Sequence, residues 1–238
     1  MHIFYIQNIT GNIASLDETD SGHCMRVLRM RRGDPVNLTD GKGGFYDGII
    51  ESINPRNVTV EITRNEQNYG ARDYYLHMAI APTKNMDRFE WFIEKAVEIG
   101  IDEITPLLCH HSERKILRND RLEKIMISAI KQSVKAYLPV LNIMTGFDQF
   151  IKGNIRGNKY IALCSHDVRS ELIKTQNKLK AFTILIGPEG DFSGKETESA
   201  LKNGFIPVSL GASRLRTETA GIVACQIISD WNTLHEKK

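Results

Sequence analysis

The 238-residue sequence has few of the features that mark membrane, disulfide-stapled or strongly charged proteins. No apolar stretch approaches the ~20 residues that a membrane-crossing helix needs, and no charged-then-apolar leader opens the chain. The expectation is a cytoplasmic protein with no membrane partner. Only four cysteines are present, Cys24, Cys109, Cys164 and Cys225, far apart and without C-x-x-C spacing. That excludes a disulfide framework, argues against a zinc site, and reads as four reduced thiols. Charge of one sign is scarce as well: 31 Lys and Arg against 29 Asp and Glu leave +2. Any affinity for a polyanion must therefore come from local clustering and not from the field of the whole molecule. There is no internal repeat and no low-complexity tract. What remains is ordinary globular usage, 41% hydrophobic and 25% charged, in a chain long enough for one large domain or two smaller ones.

The pattern of the chain favours two. Residues 1 to about 68 read as a small all-β module of short strands, including Pro35 to Thr39, Phe45 to Ile53 and Asn57 to Thr63. Asp40-Gly41-Lys42-Gly43-Gly44 is a hairpin signal, and the polar stretch Asn65 to Arg72 reads as a linker. From Tyr74 onward strands alternate with helical periodicity, which predicts a mostly parallel sheet. Strands are expected at Tyr75 to Ala81, Ile104 to Leu108, Tyr160 to Cys164, Phe182 to Ile186 and Ile206 to Leu210. Phe89, Phe92, Ile93, Ala96 and Val97 mark one face of a helix ending at Gly100. A second helical period runs from Leu122 through Ala129, Ile130, Ser133 and Val134 to Tyr137, with Pro139 as its stop.

Two segments stand out. Gly187-Pro188-Glu189-Gly190-Asp191-Phe192-Ser193 and Leu210-Gly211-Ala212-Ser213-Arg214-Leu215-Arg216-Thr217-Glu218-Thr219-Ala220 each follow a short apolar strand. Each is thus a turn at the carboxyl end of a strand, where open α/β sheets hold ligands, and two such turns imply one pocket. Ser193 and Glu196 have capping-box spacing, so a helix should begin there with free N–H groups gathered at Ser193, and Gly204 should end it. Thr217-Glu218-Thr219-Ala220 is a second helix start with an acid in its first turn.

These segments closely resemble the signature turns G-P-E-G-x-F-S and L-G-x-x-x-L-R-T-E-T-A of the trefoil-knot (SPOUT) RNA methyltransferases. Within that superfamily the match is to the enzymes that methylate N3 of a uridine in small-subunit (16S) ribosomal RNA. His23, Val27-Leu28-Arg29 and Gly33-Asp34 fit the same family, as do Lys84, Glu90-Trp91, Lys95, Glu98 and Gly100, so the resemblance covers almost the full length. Two departures are visible: Met1-His2-Ile3-Phe4 lacks the arginine common near the N-terminus, and Lys131-Gln132-Ser133-Val134-Lys135 stands where E-Q-x-x-R is usual. Lysine keeps charge there but loses bidentate geometry, which touches RNA contacts more than the reaction.

The resemblance implies an α/β fold with a PUA-like β-barrel RNA-binding domain over residues 1–70 and a trefoil-knotted methyltransferase domain over 73–238. It implies S-adenosylmethionine as donor, held bent by Gly187, Pro188, Glu189, Gly190, Leu210, Gly211, Leu215, Thr219 and Ala220. Methyl transfer to a ring nitrogen requires that donor and acceptor be held in contact and the N3 proton removed. By motif, Arg216 would stabilise the developing uracil anion. Glu218 would accept the proton, hold Arg216 in place, or serve only as a favourable helix-start acid. RNA contacts are expected from Arg26, Arg29, Arg31 and Arg32, the densest basic cluster, and from Lys84, Arg88, Arg114, Lys115 and Arg118. Phe4, Tyr5 and Phe192 are candidates to stack on an extruded base, although aromatics so placed usually belong to the core. The implied partners are 16S ribosomal RNA or the small ribosomal subunit, and a second copy of the chain. The competing readings are a knotted enzyme for a ribose 2′-hydroxyl or another base, and a non-catalytic assembly factor.

Other signals fail on inspection. Gly194-Lys195 is no phosphate loop, because Glu189 and Glu196 stand where that motif needs Gly and Ser or Thr. Gly41-Lys42-Gly43-Gly44 precedes a strand and not a helix. Cys109-His110-His111 is a poor metal site, since neighbours on an extended segment face opposite ways, and no metal is expected. His166-Asp167 reads as a surface loop.

Overall fold

The computed structural model describes residues 2–164, 170–175 and 180–235; His166-Asp167 lie outside them. Two compact units emerge, one of Met1–Ala71 with Ile127–Leu138, the other of Arg72–Met126 with Pro139–Lys238.

The first unit contains β1 (Ile3–Tyr5), β2 (Ile9–Thr10), β3 (Ile13–Ser15), α1 (Glu18–Arg26), β4 (Pro35–Thr39), β5 (Phe45–Ser52) and β6 (Thr59–Glu66). Its strands form one barrel-like sheet in the order β1-β4-β5-β6-β3-β2, antiparallel except for β1 beside β4. Phe4, Ile6, Leu38, Ile50, Val58 and Val60 fill its core. The Asp40 carboxylate accepts from Lys42 N at 2.7 Å and Gly44 N at 2.9 Å, which closes the expected hairpin turn. The all-β expectation fails at α1. Asp17 caps this helix through Asp20 N, yet its buried residues are Asp20, Ser21 and Cys24, so no apolar period announces it. Tertiary bonds hold it instead: Ser21 Oγ accepts from Val58 N, and the Asp20 carboxylate pairs with Lys131 Nζ at 2.8 Å. The expected linker is shorter than its polarity suggested, because Asn65 and Glu66 extend β6 against Tyr46 and Phe45.

The second unit runs β7 (Tyr75–Ile80), α2 (Met86–Ile99), β8 (Glu103–Leu108), α3 (Asn119–Gln132, its residues from Ile127 on counted in the first unit), β9 (Val140–Leu141), β10 (Thr145–Gly146), α4 (Phe147–Ile151), β11 (Asn158–Ala162), a 3-10 turn (Leu172–Lys174), β12 (Ala181–Ile186), α5 (Gly194–Lys202), β13 (Ile206–Val208) and α6 (Thr217–His235). All its strand pairs are parallel, in the order β10-β8-β7-β12-β11-β13 with β9 also on β8. Strands β7 and β12 are buried along almost their whole length, as parallel strands covered on both faces must be. Helix α2 has the predicted buried face, Phe89, Phe92, Ile93, Ala96 and Val97, with Asn85 as N-cap and Gly100 closing on Ala96 O.

Helix α3 stops at Gln132, five residues short of the expected Tyr137. Lys135 N closes on Ile130 O while Val134 takes a φ of 57°, a left-handed terminus despite the β-branched side chain. The chain beyond it pairs with the hairpin instead, Gly43 N donating to Ala136 O at 2.8 Å.

The chain leaving β13 is bonded to two earlier segments. Leu163 N donates to Val208 O, Ser209 N to Ser170 O, and Leu172 N to Ser209 O. Helix α6 then packs on α2, β7, β12 and the 3-10 turn. This is the knotted α/β arrangement that the two signature turns implied, with both turns on one edge of the sheet.

Candidate functional site

The ends of β11, β12 and β13 open on a cavity of 720 Å³. Its walls come from Ala162 to Cys164, from Ile186 to Glu189 with Asp191, and from Ser209 to Thr217 with Ala220. The two glycine-bearing turns therefore share one cavity, and they are joined: Thr217 Oγ1 donates to Gly187 O at 3.0 Å. Thr217 is buried, so its hydroxyl has this carbonyl as a fixed partner.

Local chemistry shapes the first turn. Asp191 N bonds Pro188 O, and Asp191 takes a φ of 60°, a conformation its short polar side chain tolerates. The Asp191 carboxylate accepts from Phe192 N at 2.8 Å and reaches Cys164 N at 3.4 Å, bringing β11 into the site. Gly190 lies against His111, where an added Cβ would come within 3.1 Å of the His111 Cβ. The Glu189 carboxylate accepts from Lys84 N at 2.9 Å. In the second turn Gly211 has a φ of 127°, which disfavours any residue with a side chain.

Among the expected donor residues, Gly187, Pro188, Glu189, Leu210, Gly211, Leu215 and Ala220 line the cavity. Gly190 and Thr219 are not among the lining residues. Arg216 lines it with an exposed side chain. Glu218 is elsewhere: its carboxylate is buried, with Oε1 3.9 Å from Arg88 Nε and Oε2 lacking a hydrogen-bond partner among the described residues. Glu218 thus faces Arg88, and no hydrogen bond or ion pair joins it to Arg216 among the described residues.

Of the N–H groups expected to gather at Ser193, those of Ser193 and Glu196 are taken up by the helix cap. Glu196 Oε2 accepts from Ser193 N at 2.8 Å in a complete capping box, and Glu196 Oε1 accepts from His110 N at 2.8 Å. Phe4 and Phe192, considered for stacking, are buried core residues, and Tyr5 is half-buried. Arg26, Arg29, Arg31 and Arg32 are exposed, and none forms an ion pair among the described residues. Lys84 and Arg114 are engaged: Lys84 Nζ pairs with Glu113 at 2.8 Å and Arg114 Nη2 donates to Lys84 O at 2.8 Å.

Sequence reasoning missed Ala162 to Cys164, Asp191, Ser213, Arg214 and Thr217 as cavity residues. The β11 end was findable, because a strand was expected there and ligands gather at strand ends. The exposed Cys164 thiol on that wall is raised above the usual thiol range by partial desolvation, to which Asp191 adds and which Arg214 opposes. Among the described residues no group of three or more His, Cys, Asp or Glu is placed to hold a metal ion.

A family model described as an RNA methyltransferase domain matches residues 72–229, and one described as an RNA methyltransferase PUA domain matches residues 16–63. Ribosomal RNA small subunit methyltransferase E of Mesomycoplasma hyopneumoniae is 32% identical over 228 residues, 93% of this chain and 96% of the relative. A solved structure from Porphyromonas gingivalis, described as a probable rRNA-methyltransferase, has a TM-score of 0.89 at 40% identity, with 99% of this chain and 100% of that chain covered. The small subunit methyltransferase E of Neisseria gonorrhoeae, solved bound to S-adenosyl methionine, has a TM-score of 0.85 at 26% identity, covering 97% of each chain. With both models matched in order and relatives aligned almost end to end, the chain belongs to the family of RNA methyltransferases that carry a PUA domain ahead of a knotted methyltransferase domain.

Proposed function

We propose that this protein methylates N3 of a specific uridine in 16S ribosomal RNA with S-adenosylmethionine as donor. The observation that carries the reading is the convergence of the two signature turns on one 720 Å³ cavity, tied together by Thr217 and the Gly187 carbonyl. The cavity fits the donor: its size is that of a small-molecule site, and Gly187 and Gly211 put no side chain on its wall. When bound, the donor supplies an electrophilic methyl group.

The chain's own residues do the rest. Gly187, Pro188, Glu189, Leu210, Gly211, Leu215 and Ala220 line the donor space. Arg216, exposed at the cavity, stabilises negative charge developing on the uracil ring as N3 loses its proton. Glu218, buried against Arg88, orders the start of α6 and so the backbone that carries Arg216. Arg26 and Arg29, with Arg31 and Arg32, supply phosphate contacts from the first unit, which acts as the RNA-binding domain over residues 1–70, ahead of a methyltransferase domain over 73–238. Ribosomal RNA as substrate places the protein in the cytoplasm. We further propose a homodimer, supported by an exposed Trp91 on α2 and by half-buried Ile222, Val223 and Ile227 on α6, apolar side chains that the second unit does not fully cover.

The test treats unmodified 16S RNA and intact small subunits with enzyme and labelled donor, then locates the methyl by nucleoside mass spectrometry. N3-methyluridine is expected, and Arg216→Ala should abolish it while the variant still folds and binds donor. A 2′-O-methyl product, or normal turnover by folded Arg216→Ala, would overturn the assignment.

A further inference from the structure

We propose that the segment Cys109–Arg114, which leaves the end of β8, is a rear support for the donor turn, and that Arg114 and His111 are positioning residues for S-adenosylmethionine and not contacts for RNA. The proposal rests on the donor-cavity reading above. Four observations converge on it. Arg114 Nη2 donates to Lys84 O at 2.8 Å while Lys84 N donates to the Glu189 carboxylate at 2.9 Å, so one peptide segment relays Arg114 to a residue of the cavity wall. His111 Nδ1 lies 2.9 Å from Asp191 O; a carbonyl can only accept, so His111 donates from Nδ1. A Cβ added at Gly190 would stand 3.1 Å from the His111 Cβ, tighter than ordinary van der Waals contact, so the turn and His111 are closely packed. His110 N donates to Glu196, the residue that also caps α5.

The first donor turn is thus fastened from behind at Glu189, Gly190, Asp191 and Glu196, all to one short segment and its relay. Arg114 is half-buried with Nη2 committed to Lys84 O, and the Lys84 ammonium is paired at the surface with Glu113. A turn whose backbone must meet the donor gains affinity when it is already fixed, because binding then pays no ordering cost.

Calorimetric titration with S-adenosylmethionine, without RNA, is compared for the wild type, Arg114→Ala, Arg114→Lys and His111→Phe. In parallel, 16S RNA binding is measured across a salt gradient at saturating donor. Arg114→Ala and His111→Phe should each weaken donor binding about 5- to 20-fold, Arg114→Lys should recover part of the loss, and the salt slope should stay unchanged. A donor affinity within twofold of wild type, with the RNA salt slope lowered by about 1, would make Arg114 a phosphate contact and overturn the proposal. His111→Phe supplies an independent reading through a different contact should Arg114→Ala melt below the assay temperature. Failure of the wild type to bind donor would remove the donor-cavity reading itself, and the support role with it.

Discussion

Replacing Thr217 with valine tests the join between the two turns with almost no change in shape. Thr217 is 5% exposed, and its hydroxyl donates to Gly187 O at 3.0 Å. Valine keeps the volume and the β-branching but leaves the Gly187 carbonyl without that donor. A neutral hydrogen bond contributes about 1 kcal/mol net, and a buried carbonyl left unpaired costs roughly 1–3 kcal/mol. In the free protein water in the cavity can reach the carbonyl and mute the loss; with donor in place that water is displaced. The expected result is a drop in folding stability of no more than about 1 kcal/mol and a donor affinity weaker by about 5- to 30-fold, or roughly 1–2 kcal/mol. Thr217→Ser, which keeps the hydroxyl, should bind donor within a few-fold of wild type. Calorimetric titration gives the affinities and urea midpoints give the stabilities. Wild-type donor affinity in Thr217→Val would show that the join does not matter for the site, and equal losses in the valine and serine variants would assign the effect to packing.

Acid should weaken the second unit through His77, which burial holds neutral with a pKa lowered to about 4, its Nε2 2.7 Å from Thr105 Oγ1. Glu103 lies 3.7 Å away and would favour the charged ring, but Asn142 and the Tyr75 hydroxyl already use its oxygens, and burial dominates. Because the folded value lies below the unfolded one of about 6.5, this contribution is whole above pH 6.5 and falls away toward pH 4, by about 2 kcal/mol at pH 5 and about 3 kcal/mol at pH 4. Urea midpoints from pH 7 to 4.5 should show a shallower decline for His77→Gln than for wild type, and parallel declines would refute the assignment. Lys131→Met should cost about 2–3 kcal/mol, since it strands the buried Asp20 carboxylate, and adding Asp20→Asn should recover part of the loss. A single variant within 0.5 kcal/mol of wild type would mean that water or a neighbour compensates Asp20.

What could be read from sequence follows from how local the deciding forces are. Helix α2 was legible through its apolar period and glycine stop, Phe89 to Val97 and Gly100, and helix α5 through its capping box and glycine stop, Ser193 with Glu196 and Gly204. Helix α1 was not, because Asp20 and Ser21 on its buried face are satisfied by Lys131 and Val58, far along the chain. Helix α3 was read too long because its period continues at Ser133, Val134 and Tyr137, while the backbone there serves the 40–44 hairpin. The two turns announced themselves through Gly187, Pro188, Gly190 and Gly211. Their support did not, since His110, His111 and Arg114 meet partners through contacts that no local pattern encodes.

The bonds of Val208 to Leu163 and of Ser209 to Ser170 and Leu172 bear on how the enzyme comes into being. The wall formed by Leu210 to Thr217 can reach its place only after the chain leading into it has paired with segments made well before it in synthesis, a step of high contact order. Competence to take up a methyl donor therefore arises last, and a nascent chain that has built most of its sheet is still chemically silent.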